Sequence, residues 1–470
     1  MVKTPAKEAK KTWDRLSRKP VLIWDKMTAA QEKKVFKFAE EYKSFLDQAR
    51  TERKTVDFIT SAADKKGFRE TGGKPGRFLM THRGKAVALA WLGKNPVEEG
   101  LRLVGAHIDS PRLDLKANPL YEEAEVVFLK SQYYGGIRKH QWLARPLGLV
   151  GVVIKPDGRK VELEIGFKAD DPVFTVADLL PHLAGKVQSG KKLSEAFTGE
   201  KLNLVVGSRP VNNPEVKERF KLAVLQHLNR HYGLEEVDFI SAELEAVPVE
   251  KTRDVGFDRA LLGGYGHDDR VSAYQALRAA LELKDPARPG LCLFMDKEET
   301  GSDGATGAKS HFLEHVVAQL LAASGQKKSA WAVQEALYNS RCLSADVAPA
   351  FDPDWPEVHE KRNAAFLGYG PCIVKYTGSG GKYSTSDANA EYMAWIRRVW
   401  DDAGVVWQAA GMGKVDEGGG GTIAKYLAVY GMEVVDFGVP VLGMHSPFEL
   451  ISKADLHMGK EAMSAFLAAD

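Results

Sequence analysis

Two adjacent glutamates, Glu298 and Glu299, follow the apolar run LCLFMDK and precede TGSDGATG. Neighbouring carboxylates at the end of a buried strand repel each other and need positive charge close by. Four other apolar stretches end in similar residues: His107 and Asp109 after LRLVGA, Asp268 and Asp269 in GGYGHDDR, Asp346 after RCLSA, and His445 after VPVLGM. In open α/β sheets, ligands bind beyond the carboxyl ends of the strands. Two imidazoles with several carboxylates form a hard, mixed N/O donor set suited to zinc, cobalt or manganese, with no thiolate. Taken singly, each residue has a plainer reading. A histidine after a strand is usually a satisfied core or surface side chain, Asp269 suits the N-cap of a helix starting at RVSAY, and paired glutamates usually face solvent. The coincidence at five strand ends of one body carries the metal-site reading.

Spacing refines it. In HID, residues i and i+2 of an extended chain lie on one side, so Asp109 can hold the His107 imidazole and set its tautomer. Two or three protein ligands per ion leave room for a bridging water, whose pKa divalent ions lower towards neutrality. Such a hydroxide needs a nearby carboxylate that is not itself a ligand, to take its proton and pass it to a leaving group. Neighbouring side chains of an extended segment point different ways, so one of Glu298 and Glu299 can bind metal while the other faces the water. Two phosphate-loop look-alikes fail: Ala308 interrupts GATGAKS, and Tyr383 follows Lys382 in GSGGKYS. The run DEGGGGT (416–422) reads either as backbone that approaches a ligand or supplies N–H groups to an anionic oxygen, or as a flexible loop.

The elements that must position these residues follow from apolar periodicity. Thr28 and Gln31 form a capping box ahead of Val35, Phe38, Tyr42 and Phe45, which predicts an opening helix. AVALA and LRLVGAH read as short strands. LGLVGVVI and KVELEIG read as strands joined by the turn PDGR, LNLVVGS as another, and PEVKERFKLAVLQHLNRHYG as an amphipathic helix that closes on Gly233. After residue 250, strands (LCLFMD, RCLSADVA, MEVVDFGVPVLGMH) alternate with helices (VSAYQALRAALEL, FLEHVVAQLLAAS, EYMAWIRRVWDDAG). This predicts an α/β fold with a mixed, largely parallel sheet covered by helices on both faces. Residues 120–248, mainly β, read as a domain inserted into a body made of 1–119 and 249–470.

Composition restricts the function classes. The 470 residues are 44% hydrophobic and 27% charged, with 65 Lys+Arg against 63 Asp+Glu, so no global charge argues for nucleic acid or a membrane surface. The Lys-rich start MVKTPAKEAKK reads as a solvated, frayed terminus with no signal-peptide core, and no apolar run nears the length that spans a bilayer. Cys292, Cys342 and Cys372 are scattered and lie in or beside apolar stretches, as core residues in a reducing compartment would. A cytoplasmic location is expected.

GAHIDSPRLDLK, HDDRVSAYQAL, EETGSDGATGA, SADVAPAFDPDW, GPCIVKYT and FGVPVLGMHSPFEL, in this order, resemble the aspartyl aminopeptidase and aminopeptidase I family of cocatalytic zinc exopeptidases. The resemblance runs from about residue 76 to the C-terminus. It implies two zinc ions per subunit, with cobalt or manganese as alternatives: His107 and Asp346 on one, Glu299 and His445 on the other, and Asp268 bridging both. It implies Glu298 as general base, Asp109 as the acid orienting His107, and a cis peptide after Asp268. Asp269 stands where Asn is common, Lys297 where His is common, and SPFE where SIRE is common. The stretch 120–248 resembles the family's dimerisation domain, and His182 of PHLA matches a histidine that reaches the neighbour's active site. Dimers assembling into dodecamers are implied. The implied reaction is removal of one residue from a peptide with a free N-terminus. The alternative is another two-metal amide hydrolase, a deacylase or carboxypeptidase. Lys375 and Tyr383 match positions near the side-chain pocket, where a lysine suits acidic substrates, although relatives prefer leucine-like ones.

Overall fold

The computed structural model describes residues 6–70, 76–326 and 329–470. Its main sheet has eight strands in the order Arg77–His82, Ala86–Trp91, Gly290–Met295, Arg102–His107, Arg341–Ala345, Glu433–Gly438, Cys372–Val374 and Gln408–Ala410. The strands from Gly290–Met295 to Glu433–Gly438 in that order run parallel, and antiparallel pairs flank them. The sheet is therefore mixed with a parallel centre, as expected. Three of its strands, Ala86–Trp91, Arg102–His107 and Gly290–Met295, are buried throughout, because both faces are covered. Val87, Leu89, Val104, Cys292 and Phe294 pack in one core with residues of helices Glu52–Asp64, His267–Glu282, Ala390–Asp402 and Lys453–Ala468. Alternate residues Ala86, Ala88, Leu103, Leu291 and Leu293 pack in a second with helices Phe312–Ala323 and Ala330–Tyr338.

A second, wholly antiparallel sheet has seven strands: Lys160–Ile165, Leu147–Ile154, Ala242–Pro248, Arg112–Glu123, Val126–Tyr134, Leu204–Gly207 and Thr175–Val176. It has its own core around Trp142, Leu147, Leu149 and Leu204, closed by helix Arg219–Tyr232 with Gly233 in the left-handed conformation after it. A boundary at 119/120 falls inside strand Arg112–Glu123, which begins shortly after His107.

A third sheet, of five short strands, is absent from the sequence reading: Arg253–Val255, Leu261–Gly264, Glu449–Ser452, Pro440–Leu442 and Ala348–Pro349. Its existence corrects the single strand expected over MEVVDFGVPVLGMH. Glu433–Gly438 stays in the main sheet, whereas Pro440–Leu442 joins the small one. The crossing is tight, since a Cβ on Gly438 would lie 1.4 Å from the backbone oxygen of Asp346. Proline then opens the new strand, a position where its missing N–H is tolerated.

The opening helix, Ala29–Gln48, carries both hydrogen bonds of the Thr28–Gln31 capping box. Residues 1–5 of the Lys-rich start lie outside the described residues. Ala6–Leu16 is an exposed helix, so that part of the expected frayed terminus is ordered into turns. All three cysteines are free and buried.

Gly438→Ala has to displace the Asp346 backbone, and overpacking of this kind costs about 1–3 kcal/mol. Urea unfolding should show that loss, and a wild-type midpoint would contradict the close approach.

Candidate metal centre

Parallel register brings three strand ends together. Met295 pairs with His107 and Ser344 with Gly105, so His107, the Glu298–Glu299 pair and Asp346 leave the main sheet side by side. Asp268 and His445 arrive from a second sheet of the same body. Asp268 follows strand Leu261–Gly264 of the small sheet, and His445 lies between that sheet's strands Pro440–Leu442 and Glu449–Ser452. The Asp268–Asp269 peptide is cis, and both residues have non-helical backbone angles at the head of the helix to Glu282.

The two glutamates do not sit on an extended segment. Lys297 is in the left-handed region at φ 73°, and Glu298–Thr300 form a single 3₁₀ turn. With three residues per turn, successive side chains diverge by roughly 120°, so the turn separates the two carboxyls where a strand was expected to.

Asp268 is the pivot. Its Oδ1 lies 3.2 Å from His107 Nε2 and its Oδ2 lies 3.2 Å from His445 Nε2. His107 Nε2 is 3.7 Å from Asp346 Oδ1, and His445 Nε2 is 3.6 Å from Glu299 Oε2. His107, Glu298 and Asp346 can each offer one ligand atom within 4.8 Å of the others, as can His107, Asp268 and Glu299. Asp268 Oδ1 and Glu299 Oε1 are buried with no hydrogen-bond partner, as donor atoms for a cation would be. The donor set is all imidazole and carboxylate, so it fits divalent zinc and not a thiolate-seeking ion.

The tautomers suit that task. His445 Nδ1 donates to the Gly136 carbonyl at 3.0 Å. His107 Nδ1 has the Asp109 carbonyl at 3.1 Å and the Asp109 carboxylate at 3.4 Å, so the backbone oxygen is nearer than the carboxylate invoked from spacing. With Nδ1 engaged, each ring turns Nε2 inwards. Asp109 is wholly buried and accepts from Tyr134 Oη at 2.8 Å and from the backbone N–H groups of Glu298 and Glu299 at 3.2 Å.

The electrostatics describe carboxyls crowded around two imidazoles. Burial pushes Glu298 up to about 8, with Asp346, Asp109 and Asp268 adding to the rise and His107 opposing it. Glu299 is raised well above its usual range by burial and by Asp268, and Asp346 is raised by burial. Burial works against a charged His445, yet Asp268 and Glu299 lift it to about 11.

Glu449 is a residue that reading from strand ends missed. It is buried, accepts the Asp268 N–H at 3.0 Å and the His445 N–H at 2.7 Å, and so ties both segments of the small sheet to one carboxylate. It opens a strand instead of following one, which is why a search of strand ends passes over it. Three other expected residues lie outside the cluster. His182 is exposed on the short helix Pro181–Ala184. Lys375 follows strand Cys372–Val374 with its Nζ 4.8 Å from the Tyr376 ring, and Tyr383 is 68% exposed in the loop beyond. The glycines of DEGGGGT pack on that loop, with Gly378 N–H donating to the Gly420 carbonyl at 2.8 Å.

The family model for aminopeptidase I zinc metalloproteases (M18) matches residues 45–467. A probable M18 family aminopeptidase 1 from Clostridium acetobutylicum is 46% identical over 453 residues, covering 94% of this chain and 97% of that protein. The crystal structure of an M18 aminopeptidase from Thermotoga maritima superimposes with a TM-score of 0.92 at 45% identity, covering 96% of this chain and 99% of that one. The mApe1 dodecamer of S. cerevisiae shares the fold at 22% identity, with a TM-score of 0.73 over 91% of this chain and 96% of that one.

A carboxyl titrating near 8 when folded and near 4.5 when unfolded stabilises the metal-free protein below pH 4.5 and loses that contribution as pH rises to about 8. The thermal midpoint of metal-free wild type should therefore fall relative to Glu298→Gln across this window, and zinc should restore it. Parallel midpoints from pH 4.5 to 8 would show that Glu298 is not charge-crowded.

Proposed function

The chain belongs to the M18 family of aminopeptidase I zinc metalloproteases, and on that footing we propose that it releases single N-terminal residues from peptides through a two-metal site with Glu298 as general base. The observation that carries this reading is the Asp268 carboxylate, with one oxygen 3.2 Å from each inward-facing histidine nitrogen. In this reading His107 and Asp346 would hold one zinc, Glu299 and His445 the other, and Asp268 would serve both. Cobalt or manganese would suit the same donors. Bound there, a metal pair lowers the pKa of a water and polarises a carbonyl.

The rest is the work of this chain's own groups. Glu298 shares a cluster with His107 and Asp346, and its backbone is anchored on Asp109. Its carboxyl takes a proton from the attacking water and delivers it to the departing amine, a task that favours a proton affinity near the working pH. Carboxylates in the same cluster receive the substrate's free α-amine.

His182 acts in the neighbouring subunit, donating to the oxygen of the scissile carbonyl. Its surroundings support an interface: Leu179, Leu180 and Leu183 are large apolar side chains left exposed around it. Dimers formed on the 120–248 region would assemble further, and the yeast dodecamer of the same fold supports a twelve-subunit endpoint. Lys375 and Tyr383 favour acidic side chains in the pocket, the lysine as counter-charge. Three buried free thiols support a cytoplasmic, reducing setting, and among the described residues no helix is long and apolar enough to cross a membrane.

Glu298→Gln is expected to retain metal by elemental analysis while kcat on aminoacyl p-nitroanilides falls by roughly 10²–10⁴-fold; near-normal turnover with metal intact would remove Glu298 from the role. Glutamyl, aspartyl and leucyl substrates in the same assay rank the pocket's preference, and cleavage of N-acetylated dipeptides in place of free-amine ones would point to a deacylase. Mixing the inactive His182→Ala and Glu298→Gln proteins after subunit exchange should restore activity through hybrid dimers, since one subunit then has both a base and a neighbour's histidine. No recovery counts against action in trans.

A further inference from the structure

Tyr134, Gly135 and Gly136 close strand Val126–Tyr134 of the antiparallel sheet, and from there they reach both metal-facing histidines. Tyr134 Oη donates to Asp109 Oδ2 at 2.8 Å, while Asp109 Oδ1 lies 3.4 Å from His107 Nδ1. Two residues on, the Gly136 carbonyl accepts from His445 Nδ1 at 3.0 Å. The approach is close. Gly135 sits at φ 73°, and a Cβ there would be 3.1 Å from Glu299 Oε2; a Cβ on Gly136 would be 3.1 Å from His445 Nδ1.

The segment is also held rigidly from behind. The Arg112 guanidinium stacks 3.9 Å from the centre of the Tyr134 ring. Arg112 is buried and bound to Asp114 at 2.8 Å, Glu245 at 3.1 Å and Glu52 at 3.4 Å, so the ring cannot swing its hydroxyl away from Asp109 without giving up its stack on a fixed guanidinium. We propose that Tyr134–Gly136 is a clasp whose hydroxyl and carbonyl position the two histidines, making the antiparallel sheet a working part of the metal centre. Tyr134 acts through Asp109 and Gly136 acts on His445 directly. Both are positioning residues, because neither touches substrate. The inference rests on the zinc reading of the cluster given above.

Outer partners of metal ligands typically carry 10–100-fold in metal affinity. Tyr134→Phe deletes one hydroxyl and keeps the ring on Arg112. Zinc titration of metal-free protein against a chromophoric chelator should show affinity lowered by roughly 10–100-fold. The thermal midpoint without zinc should fall only slightly, because Asp109 keeps the N–H groups of Glu298 and Glu299, while the rise on adding zinc shrinks. Gly136 is not in the left-handed region, so Gly136→Ala strains no backbone and presses only on His445; it should weaken zinc binding as well, and it carries the test if Tyr134→Phe fails to fold. Tyr133→Phe, at the half-exposed neighbour, should match wild type in both measurements. Wild-type zinc affinity in both clasp variants would overturn the clasp and leave the zinc centre standing, whereas a wild-type protein that binds no zinc would overturn both. A midpoint lowered equally with and without zinc would assign the hydroxyl to folding alone and also overturn the clasp.

Discussion

Like-charge crowding around Asp268 is the constraint on which the rest of the molecule turns. Asp109, Asp268, Glu298, Glu299 and Asp346 converge on two histidines, the first two buried and the other three half-buried, so water screens them poorly. Such a group of carboxylates is tolerable only with protons or with cations. The main sheet supplies three of the segments by parallel register, the small sheet supplies two by antiparallel pairing, and Glu449 locks the latter together. Each sheet alone would carry an incomplete donor set.

Family membership and local chemistry agree here for a physical reason. A strand end in a parallel sheet is a place where a polar side chain can be buried beside other strand ends without breaking a ladder, so chemistry collects there. The same geometry explains why His107, Glu298, Glu299 and Asp346 stood out in the sequence: each interrupts an apolar run at its C-terminal edge. The Thr28–Gln31 box and Gly233 were legible for an equally local reason, since caps depend on residues a few positions apart.

What stayed hidden is long-range or depends on backbone handedness. Period and composition carry nothing about the left-handed turn at Lys297 that separates Glu298 from Glu299. The switch between sheets after Gly438 was invisible because VDFGVPVLG keeps its apolar character through the crossing. Glu449 and Tyr134 act across the fold on residues far from them in sequence, Glu449 on Asp268 and Tyr134 on Asp109. A residue that accepts two backbone N–H groups in the interior looks, in one dimension, like any glutamate before an apolar strand.

The small sheet also makes the cluster depend on a long chain closure. Strand Leu261–Gly264, which leads into Asp268, is flanked by Arg253–Val255 on one side and by Glu449–Ser452 on the other. The first flank is local, whereas Glu449 in the second lies 181 residues along the chain from Asp268. Until that second strand docks, the Asp268 segment has one neighbouring strand, no carboxylate beneath its backbone and no second imidazole to share. The cluster is thus completed only by a pairing of high sequence separation, which is the slow kind to form.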